Sequence, residues 1–135
     1  MRIAWLSIAL FTAFLATCGF AAEPEFKDLD VAGTKNLLES GEPEGLVVID
    51  LRTDDEFASG HLEKAIQLDF LADGFAAKLG KLDKATPYLI YCASGGRSGR
   101  AMAQMSELKF ETVFHLKPGM RGWMGAGLDV AKPAL

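Results

Sequence analysis

The sequence predicts an α/β domain with a central parallel sheet and helices on both faces. Two observations carry this. Short apolar runs rich in β-branched and aromatic residues recur along the chain. Helical patterns alternate with them, and strands alternating with helices imply a parallel sheet covered on both sides. A third observation bounds the size: 135 residues, 50% of them hydrophobic and 24% charged, suit one domain with one modest core.

The elements follow in order. Glu23-Pro24-Glu25 reads as a short polar lead-in. Asp30 caps a helix to about Ser40, with Val31, Thr34, Leu37 and Leu38 on one face and Gly41 as its stop. Leu46 to Asp50 is a buried strand. Thr53-Asp54-Asp55-Glu56 is a capping-box pattern that opens a short helix ending at Gly60. Ala65 to Leu68 is a second strand, residues 70–80 a helical stretch around Phe75 and Leu79, and Tyr88 to Tyr91 a third strand. A helix from about Ser98 to Lys109 places Ala101, Met102, Met105 and Leu108 at core spacing. Val113 to Leu116 is a fourth strand, and a last helical turn surrounds Trp123.

The amino terminus does not read as part of this domain. Residues 3–22 carry no charged side chain and follow Arg2, with small residues Gly19 and Ala21 near the end. This is the pattern of a secretory signal peptide over residues 1–21, cleaved after Ala21, which leaves residues 22–135 as the domain. Two other readings stay open. The run is long enough for a membrane anchor, and Leu15-Ala16-Thr17-Cys18 resembles a lipoprotein box with Cys18 as the lipidated residue. All three place the remainder outside the cytosol, periplasmic or secreted. Two cysteines are too few for a disulfide scaffold or a structural zinc site. Cys92 is then the one thiol beyond residue 21.

The stretch Tyr91-Cys92-Ala93-Ser94-Gly95-Gly96-Arg97-Ser98 joins a strand to a helix. Two glycines permit a tight turn whose amides point inward as an anion-binding nest. The following helix adds unpaired N–H groups and the positive end of its dipole. A thiol at the start of such a cradle loses its proton more readily than a free one. Arg97 supplies a fixed cation, and Arg100 lies one turn on. An isolated cysteine at a strand end is more often a small core residue; the Gly-Gly-Arg-Ser continuation argues otherwise here. Charge is distributed to match. Residues 22–85 hold 15 acidic and 7 basic side chains, whereas residues 86–135 hold 3 acidic and 6 basic. An acidic chain, of pI near 5.1, with its basic excess near this loop suits a small anion. It argues against a general nucleic-acid binder.

These residues resemble the rhodanese family of sulfurtransferases. Val48-Ile49-Asp50-Leu51-Arg52, Glu56-Phe57, Gly60-His61-Leu62 and Ala65-Ile66 are similar to its amino-terminal signature. Cys92 to Ser98 resembles its active-site loop, and Gly119, Trp123 and Gly127-Leu128 its carboxyl-terminal pattern. The resemblance implies a single-domain rhodanese fold of the secreted or periplasmic type. It also implies thiosulfate sulfurtransferase activity through a Cys92 persulfide. Ala93, Ser94, Gly95, Gly96, Arg97 and Ser98 would bind a small anionic sulfur donor, and cyanide or a thiol would accept the sulfur. No metal or cofactor is implied, because the sulfur is carried covalently. Two departures are visible. Glu63-Lys64 stands where the family often has Pro-Gly, and Lys117-Pro118-Gly119 replaces a common Gly-Gly.

Rival readings are a rhodanese-like carrier or binding module serving a protein partner, and a phosphatase or arsenate reductase. Related phosphatases place five residues between Cys and Arg; here Ala93 to Gly96 are four. His61 and His115 invite a Cys–His dyad, but both read as structural. Asp50 and Arg52 read as an orienting polar pair.

Overall fold

The computed structural model describes residues 22–133. The segment 1–21, with the expected cleavage after Ala21, the lipidation of Cys18 and the anchor, lies outside the described residues.

The observed order begins with a strand that sequence reasoning did not predict. β1 (Glu25–Leu29) begins at the last residue of the expected lead-in Glu23-Pro24-Glu25 and runs on through residues given no element from the sequence. It pairs in parallel with β5 (Thr112–Leu116), Asp28 lying opposite His115. Its pattern is weak because it is an edge strand, with Phe26 and Leu29 only half-buried and Lys27 and Asp28 exposed. Such an edge needs few apolar residues and tolerates charge.

Helix α1 (Val31–Ser40) begins at Asp30, whose carboxylate accepts from the Gly33 amide at 2.7 Å, and ends at Gly41 in the left-handed conformation. Strand β2 (Val47–Asp50) follows, and then α2 (Asp54–Ser59) opens with the predicted capping box. The Glu56 carboxylate accepts from the Thr53 amide at 3.0 Å. Strand β3 is only Ile66–Gln67, and the helical stretch expected over 70–80 is helix α3 only over Phe75–Gly80. The preceding residues turn instead, with the Asp69 carboxylate accepting from the Leu71 amide. Strand β4 is Tyr88–Tyr91. Helix α4 spans Gly96–Glu107, so it starts two residues before Ser98. Helix α5 spans Gly119–Gly125.

The five strands form one sheet in the order β1-β5-β4-β2-β3, all pairs parallel. Alternate residues feed two cores. Ile49, Leu51, Ile90, Cys92 and Val113 face Phe75 and Leu79 of α3 and Ala101 and Met105 of α4. Val48, Leu89, Tyr91, Phe114 and Leu116 pack with Met120 and Trp123 of α5 and, from α1, Val31, Leu37 and Leu38. Apolar strands buried on both faces are what a parallel sheet requires. This is the three-layer α/β architecture expected. Strands β4 and β2 are central, so the loop leaving β4 emerges at the carboxyl end of the sheet, where ligands bind in such folds.

Candidate active site

Cys92 follows the last residue of β4 and is 1% exposed. The chain then turns through Gly95 (φ +95°) into α4. Three donors converge on Cys92 Sγ. The Gly95 amide donates at 3.1 Å, the Ser98 amide at 3.5 Å and the Ser98 hydroxyl at 3.2 Å. Burial pushes the thiol up. The Ser98 hydroxyl and the amides of Ser98, Ser94 and Gly95 outweigh it, so the thiol lies below its ordinary range.

The loop holds this shape because its carbonyls are occupied elsewhere. Met120 N–H donates to Cys92 O at 2.8 Å, and Arg121 N–H donates to Ala93 O at 2.9 Å. Both amides belong to the first turn of α5, which lacks internal partners for them. Gly119 (φ +66°) makes this approach possible: a Cβ there would lie 2.6 Å from the Ala93 carbonyl. Gly95 likewise sits against the Lys117 carbonyl, in the space a Cβ would need. The Lys117-Pro118-Gly119 departure therefore forms the wall against which the loop is moulded.

Not all predicted loop residues point at sulfur. Gly95 and Ser98 do, through the donors above. Ala93 turns its carbonyl to α5, Ser94 is exposed and contributes only its amide to the thiol, and Gly96 lies exposed on the rim. Arg97 differs from expectation. Its guanidinium forms a bidentate pair with Glu56, with Nη1 to Oε2 and Nη2 to Oε1 both at 2.9 Å. Hydrogen bonds from Arg97 hold the Glu56 carboxyl down, from 4.5 to about 2. Glu56, expected as part of a capping box and of the amino-terminal signature, also anchors the cation of the sulfur loop. Arg100 lies over the Phe70 ring at 5.0 Å instead of facing sulfur.

Asp50 and Arg52 are the buried orienting pair expected. Arg52 Nη2 donates to Asp50 Oδ2, with a further bond to Gly60 O. Burial pushes the Tyr91 phenol up, keeping it neutral; it donates to Asp50 Oδ2 at 2.7 Å. His61 is structural, its Nδ1 bonded to Phe57 O at 3.0 Å and its ring stacked on Phe57. His115 is not merely core. Its Nε2 lies 2.7 Å from Ser98 Oγ, and its Nδ1 lies 2.8 Å from Asp28 Oδ1. Sequence reasoning missed Asp28 and this role of His115. Strand alternation does place His115 and Val113 on one face, but the register against β4 and the existence of β1 were needed to use it. Among the described residues, no group of three or more His, Cys, Asp or Glu converges as metal ligands.

The family model described as a rhodanese-like domain matches residues 30–126. The chain belongs to the rhodanese-like family. Its sulfurtransferase relatives include one from Allochromatium vinosum, 30% identical over 67% of this chain and 82% of that protein. YtwF of Bacillus subtilis is 33% identical over 75% of this chain and 93% of its own. A thiosulfate sulfurtransferase, GlpE of Shewanella oneidensis, is 28% identical over 73% and 92%. The rhodanese-related protein of Thermoplasma volcanium superposes with a TM-score of 0.68, at 20% identity over 79% of this chain and 99% of that one. The rhodanese-like fold predicted from the three sequence signatures is therefore the fold observed.

Proposed function

We propose that this rhodanese-like domain transfers sulfane sulfur from thiosulfate through a persulfide on Cys92. The observation that carries the reading is the convergence of two amides and a hydroxyl on Cys92 Sγ. Such a cradle stabilises a thiolate and, one atom further out, the charge of a persulfide. The Cys92 thiolate attacks the outer sulfur of thiosulfate. The S–S bond of the donor breaks, and sulfite leaves with the electron pair. A nucleophile, cyanide or a thiolate, then attacks the outer sulfur of the persulfide and regenerates the Cys92 thiolate. The thiosulfate-named relative supports this donor, and the four-residue spacing from Cys92 to Arg97 supports sulfur over phosphate chemistry.

Mass spectrometry of the protein after thiosulfate tests the reading. One added sulfur on the Cys92 peptide, lost again on cyanide treatment, is expected. Cys92→Ser, which keeps size but cannot form a persulfide, should carry none and turn over nothing while remaining folded. A protein that loads sulfur from thiosulfate but discharges it only slowly to cyanide would be a carrier for a protein partner.

A further inference from the structure

Cys92, Ser98, His115 and Asp28 form one continuous chain of polar contacts that links the loop after β4 to α4, β5 and β1. The distances are 3.2 Å from Cys92 Sγ to Ser98 Oγ, 2.7 Å from Ser98 Oγ to His115 Nε2, and 2.8 Å from His115 Nδ1 to Asp28 Oδ1. Cys92, Ser98 and His115 are buried, so solvent cannot substitute for a missing partner.

We propose that His115 is a positioning residue that takes up the Cys92 proton through the Ser98 hydroxyl, with Asp28 fixing its orientation. This rests on Cys92 being the nucleophile of the proposed reaction. Proton bookkeeping carries it. The Ser98 hydroxyl has one hydrogen and two neighbours that can accept it. Asp28 holds the hydrogen of His115 on Nδ1, because a bare Nδ1 facing a carboxylate would be repulsive. Hydrogen bonds from His115 and then from Lys117 hold the Asp28 carboxyl below its usual range, which keeps it an acceptor. With neutral His115, Nε2 is therefore a bare acceptor. In the thiol state, the Cys92 S–H donates to Ser98 Oγ and the Ser98 O–H donates to Nε2. In the thiolate state, Ser98 must donate to sulfur instead, and its oxygen then needs a donor. His115 supplies one only when Nε2 carries a proton. Moving one proton from sulfur to the hydroxyl, and the hydroxyl proton to Nε2, converts one state into the other. The S–H and Ser98 O–H bonds break, a new Ser98 O–H and an Nε2–H form, and no charge is lost. The thiolate and the imidazolium thus appear together, and every buried donor in the chain has an acceptor.

The surroundings agree. From β1 the imidazole meets Asp28, from α4 it meets Ser98, and beyond Ser98 lies Cys92. Lys117 sits on the far oxygen of Asp28, at 3.0 Å. The cations of α4 are engaged elsewhere, Arg97 with Glu56 and Arg100 over Phe70.

Iodoacetamide alkylation of the Cys92 peptide against pH, followed by mass spectrometry, tests this without any sulfur donor. His115→Gln can still bond Ser98 but cannot take the proton. Its alkylation midpoint should rise by about one unit, a roughly tenfold slower reaction below the midpoint. Asp28→Asn should shift it the same way by a smaller amount. In a Ser98→Ala background, His115→Gln should add nothing, because the bridge is gone. A folded His115→Gln protein that titrates with the wild type would overturn the relay. Should that variant not fold, an unshifted Asp28→Asn would do the same. If the shifts appear but thiosulfate leaves no sulfur on Cys92, the relay stands and the donor assignment falls.

Discussion

Arg97 illustrates how a residue type in the expected place can be committed elsewhere. A free guanidinium hydrogen-bonded to thiosulfate would contribute ~1.5–3 kcal/mol, and its loss would cut kcat/KM by roughly 10- to 150-fold. Here the Arg97 fork, 17% exposed, is already filled by Glu56, so anion binding has to share or displace that pair. Arg97→Ala should therefore lower kcat/KM for thiosulfate by only about three- to tenfold, closer to a through-space contribution. Steady-state kinetics on the folded variant checks this. A loss beyond about 100-fold would mean that Arg97 leaves Glu56 to hold the substrate. Ser98 makes the complementary point: predicted as one of several donor-binding residues, it contributes both an amide and a hydroxyl to the sulfur itself.

At the level of elements, the site depends on how α5 receives the loop. Gly95→Ala would force a side chain into the Lys117 carbonyl and hold a non-glycine residue at φ +95°. The backbone strain alone costs about 1–3 kcal/mol, and the turn that aims the Gly95 amide at sulfur would open. A lower denaturation midpoint and loss of most sulfur transfer are expected together, measured by denaturant titration and turnover on one preparation. The end of α4 offers a change in the other direction. Lys109 sits at φ +66°, with its amide bonded to Ser106 O and the Phe110 amide to Met105 O. This is a Schellman ending, which favours glycine. The left-handed conformation costs a side-chain-bearing residue ~1–2 kcal/mol, partly offset by the unfolded-state freedom of glycine. Lys109→Gly should stabilise the protein by about 0.5–1 kcal/mol, read as a raised urea midpoint with transfer activity intact. The Glu63-Lys64 departure has the same character: Lys64 lies at φ +61°, where the family often places glycine.

On the scale of the whole molecule, the Glu56–Arg97 pair ties α2 to α4 across 41 residues. Glu56 falls from 4.5 to about 2 in the folded protein, chiefly through Arg97. A carboxyl depressed on folding contributes stability above its unfolded value, and that contribution fades as pH falls through the folded value. Stability should therefore decline between about pH 4.5 and pH 2, and Glu56→Gln should flatten this part of the profile in denaturant titrations. Partial exposure and salt screening keep the effect modest. Export, a proposal from the amino-terminal residues, also concerns the whole chain. The uncharged run after Arg2 and the Gly19/Ala21 pair lead us to propose that the exported protein begins at Ala22. Intact mass of protein from its native compartment measures this: retention of residues 1–21 would overturn cleavage, and a lipid on Cys18 would identify a lipoprotein.

Parts whose causes are local can be read from the residues alone. The Asp30 cap, the Thr53–Glu56 capping box, the β4 run Tyr88–Tyr91 and the Cys92-to-Ser98 turn each depend on residues a few positions apart. Period, capping and loop spacing made them legible. The helical stretch expected over 70–80 exceeds α3 because Phe70 and Leu71 suit a helix, whereas Asp69 caps a turn there. Only the tertiary structure decided β1, whose half-polar pattern acquires meaning from β5 beside it. It also decided the partners of Arg97 and His115. Glu56 lies 41 residues from Arg97, and Asp28 lies 87 residues from His115. Contacts at such separations follow from strand order and register, and those are set by how two buried faces pack together and not by any local pattern.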